Sequence, residues 1–194
     1  MEGTVMTMTA TAPATVASAL RRLYLVRFGF ALLWAVVLFL TASSIGPVSA
    51  TLLVIYPLFD VGAAVVDARS SRASRSALGL YVNIAISVIA AVGLVFAVAS
   101  GIPGVLRVWG AWAVTAGLVQ LVVALRRRDL GGQWAMIASG GISTLAGISF
   151  IRQAAAPHSS LSNLAGYALL GGIFFLVSAL RLGHNADRNT GGSN

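Results

Sequence analysis

The chain has 194 residues, 58% of them hydrophobic and 9% charged, with a formal net charge of +8 and no cysteine. A soluble domain carries about 25% charged residues, so this chain cannot clothe a water-facing surface and reads as an integral membrane protein. Disulfide and thiol chemistry are excluded. The excess of positive charge would point to nucleic acid in a soluble protein. Here the arginines sit in short segments beside apolar runs, where they act as topology signals and as contacts for anionic lipid at the cytoplasmic face, and no nucleic-acid partner is expected.

Residues 1–19 are rich in Thr and Ala, hold Glu2 as their only charge and show no periodicity, so a disordered cytoplasmic tail is expected. Arg21, Arg22 and Arg27 precede the apolar run Phe28–Leu40. Arg21-Arg22 resembles a twin-arginine signal, and Val48-Ser49-Ala50 resembles a small-residue cleavage site. Against that reading, Arg27 interrupts the apolar region and more membrane sequence follows, so the first spanning helix is placed at Leu23–Thr41. A short uncharged turn, Ala42–Pro47, leads to a second helix, Val48–Val66. The loop Ala68–Ser76 carries Arg69, Arg72 and Arg75. A third helix spans Ala77–Ala99, and the Gly/Pro-rich turn Ser100–Pro103 follows it. The fourth helix, Val105–Leu125, stops at Arg126, Arg127, Arg128 and Asp129. Gly131 and Gly132 open the fifth, Gln133–Ile151. A polar loop, Arg152–Ser160, precedes the sixth, Leu161–Leu180, and residues 183–194 form a polar tail expected to be disordered.

The expected fold is therefore an all-α, six-helix transmembrane domain over residues 20–182, arranged as three tandem helical hairpins. At about 20 apolar residues per crossing the length suffices. Eleven of the 13 arginines fall on the side of the termini and the 2–3 and 4–5 loops, and only Arg107 and Arg152 on the other. That bias puts both termini in the cytoplasm. Gly62, Gly117 and Gly172 recur at an interval of about 55 residues, and Pro47, Pro103 and Pro157 at nearly the same interval. A repeated hairpin would produce this period, and chance alignment of common membrane residues is the competing explanation.

The polar residues within the spans form the candidate site: Arg27, Tyr56, Asp60, Asp67, Asn83 and Gln120. Asp60 lies about 13 Å in from Arg69, near the midplane, where a carboxylate costs a few kcal/mol unless it is paired or protonated. Asp60 and Asp67 are seven residues apart and share a helix face with Tyr56. Two readings stand. Asp60 binds a proton or cation, as acids do in pumps and transporters, or it pairs with Arg27, or Arg27 pairs with Asp67, to fix the first helix against the second. Pro57 removes the hydrogen bond to the Leu53 carbonyl one turn before Asp60. Small residues line other faces: Gly79, Asn83 and Ser87; Ala113, Gly117, Gln120 and Ala124; Ser139, Ser143 and Gly147. Such faces suit close helix packing or, alternatively, a water-filled path. Trp34 lies within its span and reads as packing, whereas Tyr24, Trp109 and Trp134 lie near span ends and suit interfacial belts.

The sequence holds no G-x-S-x-G, H-E-x-x-H, P-loop or dinucleotide motif. His158 and His184 have no second ligand nearby. Asp60 and Asp67, about 10 Å apart along one helix, are too distant to share a proton as a protease dyad does. No enzyme activity, metal or cofactor is expected.

The segments LRRLYLVRFGFALLW and YPLFDVGAAVVDAR, with short arginine-capped inner loops and a Gly followed by an arginine toward the ends of even helices, resemble the HdeD-like acid-resistance membrane proteins. That family is defined by a short membrane repeat of unknown function, and the segments look like its actinobacterial members. The resemblance covers most of residues 20–182. It implies six helices, a multi-pass protein of a bacterial plasma membrane and a link to acid or envelope stress. It carries no catalytic or ligand residue. Asp60 aligns with Thr115 and Leu170, so the acid belongs to the first hairpin alone. The expected function is a non-enzymatic HdeD-like membrane protein. The alternatives are a small proton-coupled transporter or channel using Asp60, and an assembly or chaperone-like subunit. Candidate partners besides lipid are a second copy of the chain or another membrane protein.

Overall fold

In the computed structural model, which describes residues 8–70, 77–126, 128 and 133–191, every regular element is helical. The helices are α1 (Met8–Leu40), α2 (Pro47–Ser70), α3 (Ala77–Ala97), α4 (Gly101–Arg126), α5 (Trp134–Gln153) and α6 (Ser162–Gly191), with a 3-10 turn, Val98–Ser100, between α3 and α4. Five uninterrupted helical runs are long and apolar enough to cross a bilayer: Ser18–Leu40, Pro47–Val66, Gly79–Arg126, Trp134–Gln153 and Ser162–His184. They point to a membrane-embedded protein. The third run has 48 residues. Fully extended as one helix it would measure about 72 Å, more than twice the ~30 Å hydrocarbon core. It is instead folded back on itself. Gly101, at φ +77°, supplies the left-handed turn that only glycine adopts without strain. The α3 and α4 segments then run antiparallel, with Gly79 opposite Val123 and Gly93 opposite Val108.

Element ends differ from the sequence reading in informative ways. The third turn was expected over Ser100–Pro103, but α4 already begins at Gly101. Pro103 then falls in its first turn, where a missing N–H costs nothing. Helix α1 begins at Met8 and α6 continues to Gly191, so the segments expected as disordered tails are helical over much of their length. Extending an established helix avoids the nucleation step, so a polar or Ala-rich overhang follows its span at little cost. Arg72, Arg75, Arg127, Asp129, Gly131 and Gly132 lie outside the described residues, as do the side chains of Asp67 and Arg188. The start of α2 is capped locally: the Gly46 N–H donates to Ser49 Oγ at 2.9 Å, with Pro47 as the first helical residue.

The helices pack in a ring whose three closest partnerships are α4 with α5, α1 with α6, and α2 with α3. The helices within each expected hairpin touch less, and α5 and α6 barely meet. Glycine explains the tightest partnership. Gly110 and Gly117 of α4 face Gly147 and Gly140 of α5 in antiparallel register. A Cβ on Gly110 would lie 2.6 Å from the Gly147 carbonyl oxygen, and one on Gly117 would lie 2.7 Å from that of Gly140. The two backbones therefore touch, which larger residues would forbid. The α1–α6 pair is also antiparallel, with Gly172 against Ala31 and Gly183 against Arg21, and this sets both chain ends on one side of the ring. The three glycines of the 55-residue period thus have different surroundings. Gly117 is locked against α5, Gly172 packs on α1, and Gly62 faces open space.

Large apolar side chains divide between two environments. Trp34, Leu38, Leu53, Leu94, Leu106 and Trp109 are fully buried, whereas Leu33, Leu40, Ile89, Phe96 and Leu145 point outward with most of their surface free. An outer surface of that kind is stable against lipid and not against water.

The glycine contacts predict a contrast. Gly147→Ala must push α4 and α5 apart and should cost about 1–3 kcal/mol. Gly141→Ala, where a Cβ meets nothing within 4 Å, should be neutral or slightly stabilising. Thermal unfolding in detergent measures both, and equal effects would contradict the backbone contact.

Candidate functional site: a carboxylate bridging four helices

The site is built outward from Asp60. Helix α2 carries it well inside the span, where its carboxylate has four lone-pair positions to satisfy. Oδ1 accepts from Arg27 Nη2 of α1 at 2.7 Å. Oδ2 accepts from Asn83 Nδ2 at 3.0 Å and from Ser87 Oγ at 3.1 Å, both on α3. Asn83 and Ser87 reach the same oxygen because they lie four residues apart, one above the other on one helix face. Ser87, fully buried, spends its proton on Asp60 and its lone pair on the Trp112 indole N–H of α4, at 3.2 Å. The Arg27 guanidinium lies 4.7 Å from the centroid of the Phe175 ring of α6, and Tyr24 stacks on the same ring with centroids 6.0 Å apart. The bonds tie α1, α2, α3 and α4 together, and the cation–π contact adds α6. The side chains of Arg27 and Asp60 keep 13% and 24% of their surface exposed.

A neighbouring aromatic cluster packs against this bridge. Tyr56, one turn before Asp60, touches Trp34, Trp109 and Trp112, with ring centroids between 4.7 and 6.1 Å apart. The Trp34 indole donates to the Leu52 carbonyl at 2.7 Å, beside the Leu53 carbonyl that Pro57 deprives of its helical donor. Helix α2 continues through Pro57 without a break. Trp109, expected at a membrane interface, is instead completely buried. Because α4 begins at Gly101, Trp109 lies more than two turns inside it. Its indole nitrogen is one of two buried side-chain atoms without a partner among the described residues, the other being Gln153 Oε1. Trp134 is 80% exposed, as a lipid-interface residue should be.

Of the six candidate residues, Arg27, Asp60 and Asn83 meet directly, and Tyr56 adjoins them. Gln120 does not join them: its Nε2 donates to the Met136 carbonyl of α5 at 3.3 Å. Asp67 belongs to α2, and its side chain lies outside the described residues. Two partners, Ser87 and Trp112, escaped the sequence reading. Ser87 falls on the small-residue face with Gly79 and Asn83, read from sequence as a packing face or the wall of a water-filled path, and its four-residue spacing from Asn83 is the available signal. Trp112 carries no signal beyond its membership of α4.

Two bonds recur at nearly the same spacing. Trp112 of α4 donates to Ser87 of α3, 25 residues earlier, and Tyr167 of α6 donates to Ser143 of α5, 24 residues earlier and at 2.9 Å. Each bond ties an even helix to the odd helix before it. Ser87 and Ser143 are 56 residues apart, and 56 residues back from Ser87 and Trp112 fall Ala31 and Tyr56. Alanine offers no hydroxyl, and there the first hairpin uses Arg27 and Asp60 to join α1 to α2.

No protein-family model matches the chain, and neither a curated protein nor a solved structure matches it.

The shared hydroxyl predicts non-additivity. Ser87→Ala takes one donor from Asp60 and orphans the Trp112 indole, a loss of about 1–3 kcal/mol. Combined with Trp112→Phe, it should cost less than the two single losses together, by ~0.5 kcal/mol or more. Simple additivity in detergent unfolding would mean that Ser87 and Trp112 do not interact.

Proposed function

We infer that the protein is a non-enzymatic integral membrane protein of the HdeD-like type, with six crossings in three tandem hairpins, acting in acid or envelope stress resistance. Its place is a bacterial plasma membrane, with both termini in the cytoplasm. The observation that carries the non-enzymatic, structural reading is the three bonds that Asp60 accepts from α1 and α3. Both carboxylate oxygens are occupied by donors from neighbouring helices, so the charge is spent on holding the ring together. The fold-back of the 48-residue run at Gly101 supports a count of six crossings. The arginine bias supports the orientation, and the contact of Gly183 with Arg21 supports termini on a common side.

A second reading, proton-coupled transport through Asp60, draws on the 24% of the Asp60 side chain that stays exposed. Asp60→Asn separates the two. It preserves shape and cannot ionise, so a transport role predicts normal membrane abundance with loss of acid survival or of proton flux in liposomes. The structural reading predicts a less stable protein, because Arg27 loses its counter-charge, and a loss of acid survival that tracks the loss of protein. Abundance and acid survival measured in one strain decide between them.

Orientation is tested separately. With no native cysteine, single cysteines at Ser44, Ala99 and Ser159 should react with an impermeant thiol reagent in intact cells. Those at Ser71 and Gly131 should stay silent. Labelling at Ser71 from outside would overturn the assigned topology.

A further inference from the structure

The ring of helices has a seam. Helices α5 and α6 are consecutive and antiparallel, yet they make far less contact than any other neighbouring pair that forms the ring. Between them lies an open-sided cavity of about 280 Å³. Its walls run from Ile142 to Phe150 on α5 and from Ser162 to Leu170 on α6, a length of about 12 Å at 1.5 Å per residue. The volume falls just under the ~300–1,000 Å³ of pockets that enclose a small molecule. It suits a stretch of chain better than a whole solute.

The lining is graded along its length. Because the helices are antiparallel, the polar residues Ser149, Ser162 and Asn163 gather at the end beside the α5–α6 connection. The apolar residues Ile142, Ala146 and Leu170 occupy the other end, with the aromatic rings of Phe150 and Tyr167 along the wall between. Gly166 opens the α6 wall: a Cβ there would meet nothing within 4 Å. At the polar end Arg152, exposed in the last turn of α5, supplies positive charge one turn beyond Ser149. Tyr167 closes the back of the seam, donating to Ser143 and meeting Phe150 edge-on at 5.6 Å. The cleft therefore opens sideways from a bundle whose outer surface is apolar. An empty gap there forfeits dispersion contacts, and the Tyr167 and Ser143 hydroxyls at its back are already bonded to each other.

We propose that this seam is a lipid site that takes one acyl chain of an anionic phospholipid, with the headgroup at Ser149, Ser162 and Asn163 and the phosphate against Arg152. The polarity of the cleft runs in the order of the lipid itself, and Arg152 at its mouth matches the charge of the headgroup. Cation and phosphate attract without any specific sequence motif. The lipid completes the ring where protein packing is sparsest, so it belongs to the folded structure.

Native mass spectrometry of the detergent-purified full chain, titrated with palmitoyl-oleoyl phosphatidylglycerol or palmitoyl-oleoyl phosphatidylcholine, tests the site. The wild-type protein should hold one tightest lipid and prefer the glycerol lipid about fivefold, the gain expected from one basic side chain near the phosphate. Arg152→Gln should abolish that preference for the tightest lipid. Gly166→Phe, which fills the cleft, should weaken the tightest binding of both lipids at least tenfold. Gly166→Leu is the milder substitute if Gly166→Phe does not purify. Gly62→Phe, on an open face of α2, should leave binding unchanged. Retention of the lipid by both Gly166 variants overturns the proposal, as does an unaltered preference in Arg152→Gln. A wild-type dimer that Gly166→Phe converts to monomer also overturns it, since a second copy would then cover the seam.

Discussion

A carboxylate held inside an apolar bundle is the constraint on which the rest of this structure depends. Asp60 sits where an unpaired charge would cost several kcal/mol. The fold answers with Arg27 from α1, Asn83 and Ser87 from α3, and, through Ser87, Trp112 from α4. Each donor comes from a different turn or helix, so satisfying one side chain fixes four helices in rotation and depth. Lipid tails are as apolar as leucine, and apolar burial alone gives helices no preferred register in a bilayer. A polar bridge does give one, because every misplacement leaves a donor or acceptor without a partner.

The two halves of the ring are held by different physics. On one side, α1, α2 and α3 meet through the charged bridge and its aromatic neighbours. On the other, α4 and α5 meet through bare backbone at Gly110, Gly117, Gly140 and Gly147, where dispersion at short range replaces polar bonding. The hydroxyl bonds of Trp112 and Tyr167 follow one plan in the α3–α4 and α5–α6 pairs. Where alanine stands at position 31, that plan has no hydroxyl to offer Tyr56, and the charged pair one turn further along α2 links α1 and α2 instead. The seam between α5 and α6 is the remaining weak point. Only one hydrogen bond between side chains and one edge-on aromatic contact are seen across it among the described residues.

Much of this was legible in the residues. Helical class and approximate span positions follow from apolar runs too poor in charge for a water-facing surface, and the sequence offers Arg27 two partners in the next helix, Asp60 and Asp67, beside a proton or cation role for Asp60. Tertiary features were less accessible. Gln120 looked like a member of the cluster because it is polar and lies within a span, but the rotation of α4 turns it to the Met136 carbonyl. Periodicity gives a helix face without saying which neighbour it meets. Trp109 looked interfacial because the start of α4 was placed too late, and one left-handed glycine moved it into the core. The expected hairpins pair α1 with α2, α3 with α4 and α5 with α6, yet the largest interfaces are α4–α5, α1–α6 and α2–α3. Glycine spacing on two separate helices decides that, and its meaning appears only when both are seen together.

The central claim is that Arg27 and Asp60 stabilise each other across α1 and α2. A double-mutant cycle of unfolding free energies tests it most directly, with Arg27→Leu, Asp60→Leu and both together, measured in one detergent. The account predicts that each single change costs about 3 kcal/mol or more by stranding its partner. It predicts that the double variant recovers a substantial part of the summed loss, as an interaction energy well above ~0.5 kcal/mol. Losses that simply add would contradict it.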